Sequence, residues 1–393
     1  MSNDPRFDTE LDLRNTYNAK WDRMEAYCGV SSDDGLAMWV AEMDFPAPQV
    51  ARDALIAQAE RGVYGYFGKD DDYRAAICWW MRTRHDWTID PAHIFSTHGL
   101  VNATALVADT FTDPGDAVVL FTPVYHAFAR VLKAAEREIT ECPLVQVDGR
   151  YTFDWDAYDA CLTGRERMLI LCSPHNPGGR VWTRAELDAV ADFARRHDLL
   201  ILSDEIHFDL TMPGQTHFPM AKIEGIEDRL VMMTATSKSF NLAGLHVGNV
   251  IIANPELRKR FGARMAGLGI SPNTAGMFAT MAVYSEAGAA WLYDLRAYLD
   301  TNRQVFDAGV NAIPGIKSMP LEATYLGWVD FSGTGMAADE FIARVERDAR
   351  IGTNHGVEFG TGGESFLRFN LAAPRTRIQE AVARLTRAFG DLQ

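Results

Sequence analysis

The sequence predicts an α/β chain with a mostly parallel central sheet, helices on both of its faces, and a smaller α+β domain after it. Three observations carry this. From about residue 94, short apolar runs without polar alternation recur between stretches of helical periodicity, the pattern of strands buried on both faces. Most polar motifs fall just after those runs, where ligands lie in such sheets. Beyond about residue 285 the character shifts to long helical patterns followed by short strand candidates.

In chain order, residues 1–45 read as irregular. They hold Lys20-Trp21-Asp22 and an apolar run with inserted acids at 38–45, a segment pinned against another surface. Pro48 and Gly62 bracket a helix over 49–61. Residues 62–68 form a glycine-rich turn displaying Tyr64, Tyr66 and Phe67, and 71–87 an amphipathic helix. Strands are expected at 94–97, 118–121, 168–172, 199–202, 230–233 and 249–253, with helices at 100–110, 127–136 and 183–197. The last of these opens on a Thr183-x-x-Glu186 capping box. Helices at 291–310, 337–348 and 377–389 and strands at 325–331 and 366–370 complete the chain. The division expected is 1–45 as an N-terminal segment, 46–286 as the large domain and 287–393 as the small one.

Composition bounds the function. The chain has 393 residues, 47% hydrophobic and 23% charged, with a net charge of −15, which argues against nucleic acid as a partner. No apolar run approaches the ~20 residues of a membrane span, and the acidic N-terminus is not a secretory signal. Five scattered cysteines and no metal-ligand spacing suit a cytoplasmic protein without a metal.

Six motifs carry chemistry. Lys238 stands among hydroxylated residues after an apolar run, where a lysine of lowered pKa can form a Schiff base with an aldehyde; a surface lysine is the plain alternative. Asp204 follows a strand directly, and an acid buried there needs a positive partner, such as a protonated pyridine nitrogen; a helix N-cap or a surface acid is the plain alternative. Asn176 projects a neutral amide from a loop fixed by Pro174, Pro177, Gly178 and Gly179, to bond a ligand oxygen or merely to form an Asx turn. Leu100 and Val101 open a helix whose free amides suit a phosphate, or merely end a βα turn. Tyr125, at another strand end, stacks on a flat ring or packs in the core. Arg368 should point opposite to Leu367 and Phe369 and meet a carboxylate, either a substrate's or a structural one.

As a set these motifs resemble the fold type I enzymes that use pyridoxal 5′-phosphate (PLP), within the class I/II aminotransferase family. The closer resemblance is to the carbon–sulfur β-lyase branch, the cystathionine β-lyase and cystalysin-like proteins. Its markers here include Lys20-Trp21-Asp22, the run from Trp39 to Phe45, Gly65-Tyr66, Ser203-Asp204-Glu205-Ile206-His207, Ser237-Lys238-Ser239-Phe240-Asn241, Thr324-Tyr325-Leu326 and Phe359-Gly360. The resemblance implies that Lys238 bonds the cofactor aldehyde and moves protons, while Asp204 pairs with the ring nitrogen. It implies that Asn176 bonds the ring's O3′ with His207 nearby, that Tyr125 stacks on the ring, and that Leu100, Val101 and Ser237 take the phosphate. Arg368 would bind the substrate carboxylate. Tyr66 would reach the phosphate region of the neighbouring subunit of a homodimer, and the N-terminal segment would pack on the small domain and on that partner. His126 stands where a second tyrosine is common and bears on the substrate pocket. The implied reaction is β-elimination of a cysteine S-conjugate or cystathionine to a thiol, pyruvate and ammonia. The same apparatus permits transamination, and a regulator keeping the fold is the third reading.

Overall fold

The computed structural model describes residues 4–392. Seven strands form the central sheet in the order Ile94–Thr97, Gly248–Ile251, Leu230–Thr234, Leu200–Asp204, Glu166–Cys172, Ala117–Leu120 and Glu138–Glu141. Neighbours are parallel throughout, except that Gly248–Ile251 runs antiparallel to both strands beside it. The cause is the preceding connection. Residues 235–247 hold only the 3₁₀ turn Ala243–Leu245, with no crossover helix to bring the chain back for a parallel pairing.

Both faces of the sheet are apolar. Val118, Leu120, Ile170, Leu202, Val231 and Met233 enter one buried cluster with Ala103 and Val107 of the helix Leu100–Phe111. Val119, Leu169, Leu171, Ile201 and Met232 enter the other, with Leu187 and Val190 of the helix Arg184–Arg196. Burial of each large apolar side chain contributes about 1.5–3 kcal/mol relative to exposure, so a one-residue register slip, which keeps both faces apolar, is resisted by shape and not by polarity.

Several elements differ from expectation at their ends. The helix expected over 71–87 closes at His85, because Asp86 adopts a left-handed φ of 48°. The helix expected from 291 begins at Glu286, capped by the Ser285 hydroxyl accepting from the Gly288 amide. The pattern over 337–348 divides into the helix Ala338–Ala343 and a π turn, Arg344–Asp348.

A second sheet pairs Lys317–Ser318, Leu326–Asp330, Phe366–Asn370 and Asn354–His355 antiparallel. Leu367 and Phe369 pack with Ile378 and Leu385 of the closing helix Arg375–Ala388 in a separate cluster. The N-terminal stretch, read as irregular, contains the short helices Pro5–Asp8, Ala19–Asp22 and Met24–Cys28. Its strand Leu36–Ala37 pairs with Ile351–Gly352. Phe7 packs edge-on against Phe45 and Trp291, which ties this stretch to the long helix Glu286–Val310. Among the described residues no helix is long and apolar enough to cross a membrane.

Candidate active site

Because the strands ending at Thr97, Leu120, Cys172, Asp204 and Thr234 all point one way, the segments that follow them gather at one edge of the sheet. That edge receives His98–Val101, Phe121–His126, Ser173–Arg180, Glu205–Asp209 and the stretch around Lys238. The small sheet faces it with Arg368. The pleat sends Leu367 and Phe369 into the small core and turns Arg368 the other way, 2% exposed. Its guanidinium donates to Asn176 Oδ1 (3.1 Å), to the Trp39 carbonyl (2.9 Å) and to Asn354 Oδ1. Its Nε has no protein partner, and among the described residues no carboxylate pairs with it. Burial lowers its pKa to about 10, so it remains a cation at neutral pH. A buried cation without a carboxylate partner is a ready site for a ligand's carboxylate.

Burial sets the protonation of the groups below it. It pushes Lys238 down to about 8, helped by the Arg368 charge and opposed by Glu42 and Asp204. It pushes Asp204 up to about 7, against the Ile206 amide that donates to Oδ1 at 3.1 Å and against the Lys238 charge. His207 is driven well below its usual range by burial and by the Lys238 and Arg368 charges, and its Nδ1 has no partner. Burial raises Tyr125, which feels Arg368 and Asp204 next. These mutual influences bring Lys238, Asp204, His207, Arg368, Tyr125 and Asn176 into one cluster. His126 borders it: its ring stands edge-on to Phe359 at 5.5 Å, and burial and the Arg368 charge lower it to about 4. The imidazole is therefore neutral at pH 7.

A strap from the N-terminal segment crosses this cluster with its carbonyls turned inward. Lys238 Nζ donates to the Ala41 carbonyl (2.7 Å), which also accepts from the Tyr325 hydroxyl (3.0 Å). Asn370 Nδ2 donates to the carbonyls of Val40 and Glu42, both at 2.6 Å. Asn241, three residues past the lysine, accepts from the Met43 amide and donates to the carbonyls of Met43 and Phe45. The strap is anchored outside by the buried pair Lys20–Asp44 (3.0 Å), with Trp21 and Arg377 also donating to Asp44.

Gly99, with a φ of 80°, precedes the helix Leu100–Phe111, and the amides of Leu100 and Val101 fall in its first turn, where no acceptor within the helix reaches them. Ser237 is 8% exposed beside Lys238. Tyr66 is not brought to this cluster: it stands 97% exposed on the loop after Gly62, and no hydrogen bond or ring contact joins it to the residues above. Asn354, Tyr325 and the strap carbonyls were not anticipated as site groups. Tyr325 lies in the Thr324-Tyr325-Leu326 motif; Asn354 reaches Arg368 only through strand pairing, where the two residues face each other.

Comparison with known proteins bears on this arrangement. A family model described as aminotransferase class I and II matches residues 36–385. Cystathionine beta-lyase PatB of Bacillus subtilis is 34% identical over 386 residues, covering 97% of this chain and 99% of that protein. Protein MalY of Escherichia coli is 30% identical over 388 residues, covering 97% and 98%. Cystalysin from Treponema denticola, whose crystal structure contains a pyridoxal 5′-phosphate cofactor, superposes with a TM-score of 0.94 at 37% identity over the full length of both chains. A PLP-bound C-S lyase from Staphylococcus hominis gives a TM-score of 0.89 at 28% identity, covering 98% of this chain and 97% of that one.

Proposed function

The chain belongs to the aminotransferase class I and II family, and from that premise we infer that it is a pyridoxal 5′-phosphate-dependent carbon–sulfur β-lyase. It takes a cysteine S-conjugate or cystathionine with water to a thiol, pyruvate and ammonia. The observation that carries this reading is full-length similarity to cystathionine β-lyases and cystalysin, joined to a buried amine, acid and guanidinium that form no ion pairs with protein partners among the described residues.

The donor set fits the cofactor. The cofactor, when bound, supplies a ring that accepts the electrons left at Cα when the α-proton is removed. Asp204 would hold the proton on the ring nitrogen, and the buried carboxyl would gain there the positive partner that burial demands. Asn176 keeps its amide NH₂ for the ring oxygen, since its Oδ1 already accepts from Arg368. Tyr125 would flank the ring, and the amides of Leu100 and Val101 with the Ser237 hydroxyl would hold the phosphate. Lys238, with a pKa of about 8, is neutral in part near pH 8 and takes the α-proton of the substrate. Arg368 holds the α-carboxylate and fixes which bond at Cα faces the amine. His126, neutral, borders the space for the substrate side chain. Residues 46–286 form the cofactor-binding domain and 287–393 the smaller domain, in a cytoplasmic homodimer whose partner supplies Tyr66.

The test is purified protein with PLP and cystathionine. Equal release of homocysteine and pyruvate, abolished in Lys238→Ala, is expected. A keto acid derived from the intact substrate, without thiol, rejects elimination.

A further inference from the structure

Two buried carboxylates flank the Asp204 loop and take no part in the reaction read above. Glu205 accepts from the Ser203 hydroxyl (3.0 Å) and the Met220 amide (2.8 Å) and faces His217 Nε2 (2.7 Å). Asp209 accepts from Trp80 Nε1 (3.0 Å), faces His85 Nε2 (2.8 Å) and accepts from the Ser239 hydroxyl (2.8 Å). A carboxylate only accepts, so each histidine presents an N–H to it. The rings of His85 and His217 lie 6.0 Å apart, with Phe208 packed against both. The Asp209 charge is also felt by Tyr284 and by Arg296 on the long helix.

The connectivity gives this cage a use. Ser239 follows Lys238 directly, and Asp209 closes the loop that begins at Asp204 and includes His207. This hydrogen bond thus joins the segment carrying the amine to the segment carrying the acid, beyond the pairing of the strands that precede them. Trp80 and His85 fix its acceptor from the helix Asp71–His85. Ser239 and Trp80 are fully buried and Asp209 nearly so, which leaves no water to substitute for the bond.

We propose that Asp209 is a positioning residue: through Ser239 it sets where the Lys238 amine stands relative to Asp204, and so the geometry across the ring both address. The proposal rests on the β-lyase reading. Displacement of a reacting group by about 1 Å costs on the order of 100-fold in rate.

The experiment compares the holoenzyme with Ser239→Ala, Asp209→Asn and the double variant. It reads melting temperature, kcat and KM for thiol release, and the pH midpoint of the cofactor's visible absorbance. Both single variants should lower kcat roughly 10- to 100-fold with KM changed less than about threefold, and should move the midpoint by about half a pH unit or more. The double variant should be no worse than Asp209→Asn alone. A folded Ser239→Ala protein with the parental kcat and midpoint overturns the proposal, as does additive damage in the double variant. If Asp209→Asn does not fold, Ser239→Ala alone decides. A parent protein without cofactor absorbance overturns the β-lyase reading itself, a result separable from these.

Discussion

At the scale of single residues, the candidate site places groups in protonation states they resist elsewhere. Asp204 shows this most plainly. Its carboxyl sits at about 7, raised chiefly by burial, whereas an unfolded aspartate titrates near 3.8. The folded state therefore binds a proton more tightly than the unfolded state. That contribution to stability is fully present below the unfolded pKa and is lost as pH rises through about 7. Asp204→Asn replaces the acid with an uncharged group of the same shape. In the cofactor-free protein its stability relative to the parent should rise by about 3 kcal/mol between pH 5 and pH 8, the span over which the folded parent keeps a proton that its unfolded chain has lost. Activity should fall at both. Urea unfolding at the two pH values checks this, and identical pH dependence in parent and variant rejects it. Lys238 is the converse case: burial lowers it to about 8, so the charge opposite Asp204 is itself partly given up.

At the scale of elements, the strap over the site depends on Asp44. This carboxylate is 1% exposed and meets Lys20 at 3.0 Å, Arg377 at 3.1 Å and Trp21 Nε1 at 3.0 Å. Removing the acid leaves a fully buried ammonium without a counter-charge, whereas removing Lys20 leaves Asp44 paired with Arg377. Asp44→Asn should therefore cost about 3–5 kcal/mol and Lys20→Met clearly less, measured by denaturant unfolding. Equal losses would place the strap's stability elsewhere. The sequence showed the ends of this contact but not the contact. Lys20-Trp21-Asp22 and Asp44 stood out as polar groups in apolar surroundings, yet the carbonyls of Trp39, Val40, Ala41 and Glu42 are backbone groups that any residue supplies. Arg368 was legible because Leu367 and Phe369 bracket it, while Asn354 was not, since only the pairing of distant strands sets it opposite. The hairpin Val145–Val147 with Arg150–Thr152 carries its own sequence signal: Asp148-Gly149 occupies its turn, both with positive φ. The direction of Gly248–Ile251 was beyond sequence patterning, because a buried strand is apolar whichever way it runs.

At the scale of the whole molecule, one group of the proposed site lies outside the cluster this chain assembles. Tyr66 is 97% exposed, and its neighbours Val63 and Tyr64 are 70% and 78% exposed. Three large apolar side chains left open on one loop suit the cover that the proposed homodimer would give them. In a two-fold homodimer each site would combine Lys238 of one protomer with the partner's Tyr66. Complementation follows from this arrangement. Lys238→Ala and Tyr66→Ala homodimers each carry two defective sites. Unfolded together and refolded at equal concentration, half of the dimers are hybrids. In each hybrid one site holds both substitutions and the other holds neither. Activity should recover to about a quarter of the parent's per active-site pair, above the sum of the two variants mixed without refolding. If Tyr66 served the site of its own chain, every site in a hybrid would keep one defect and the refolded mixture would gain nothing. A tagged pull-down of the hybrid separates that outcome from failure to exchange subunits. The experiment thus asks whether the exposed loop completes the chemistry of a second copy or only covers its surface.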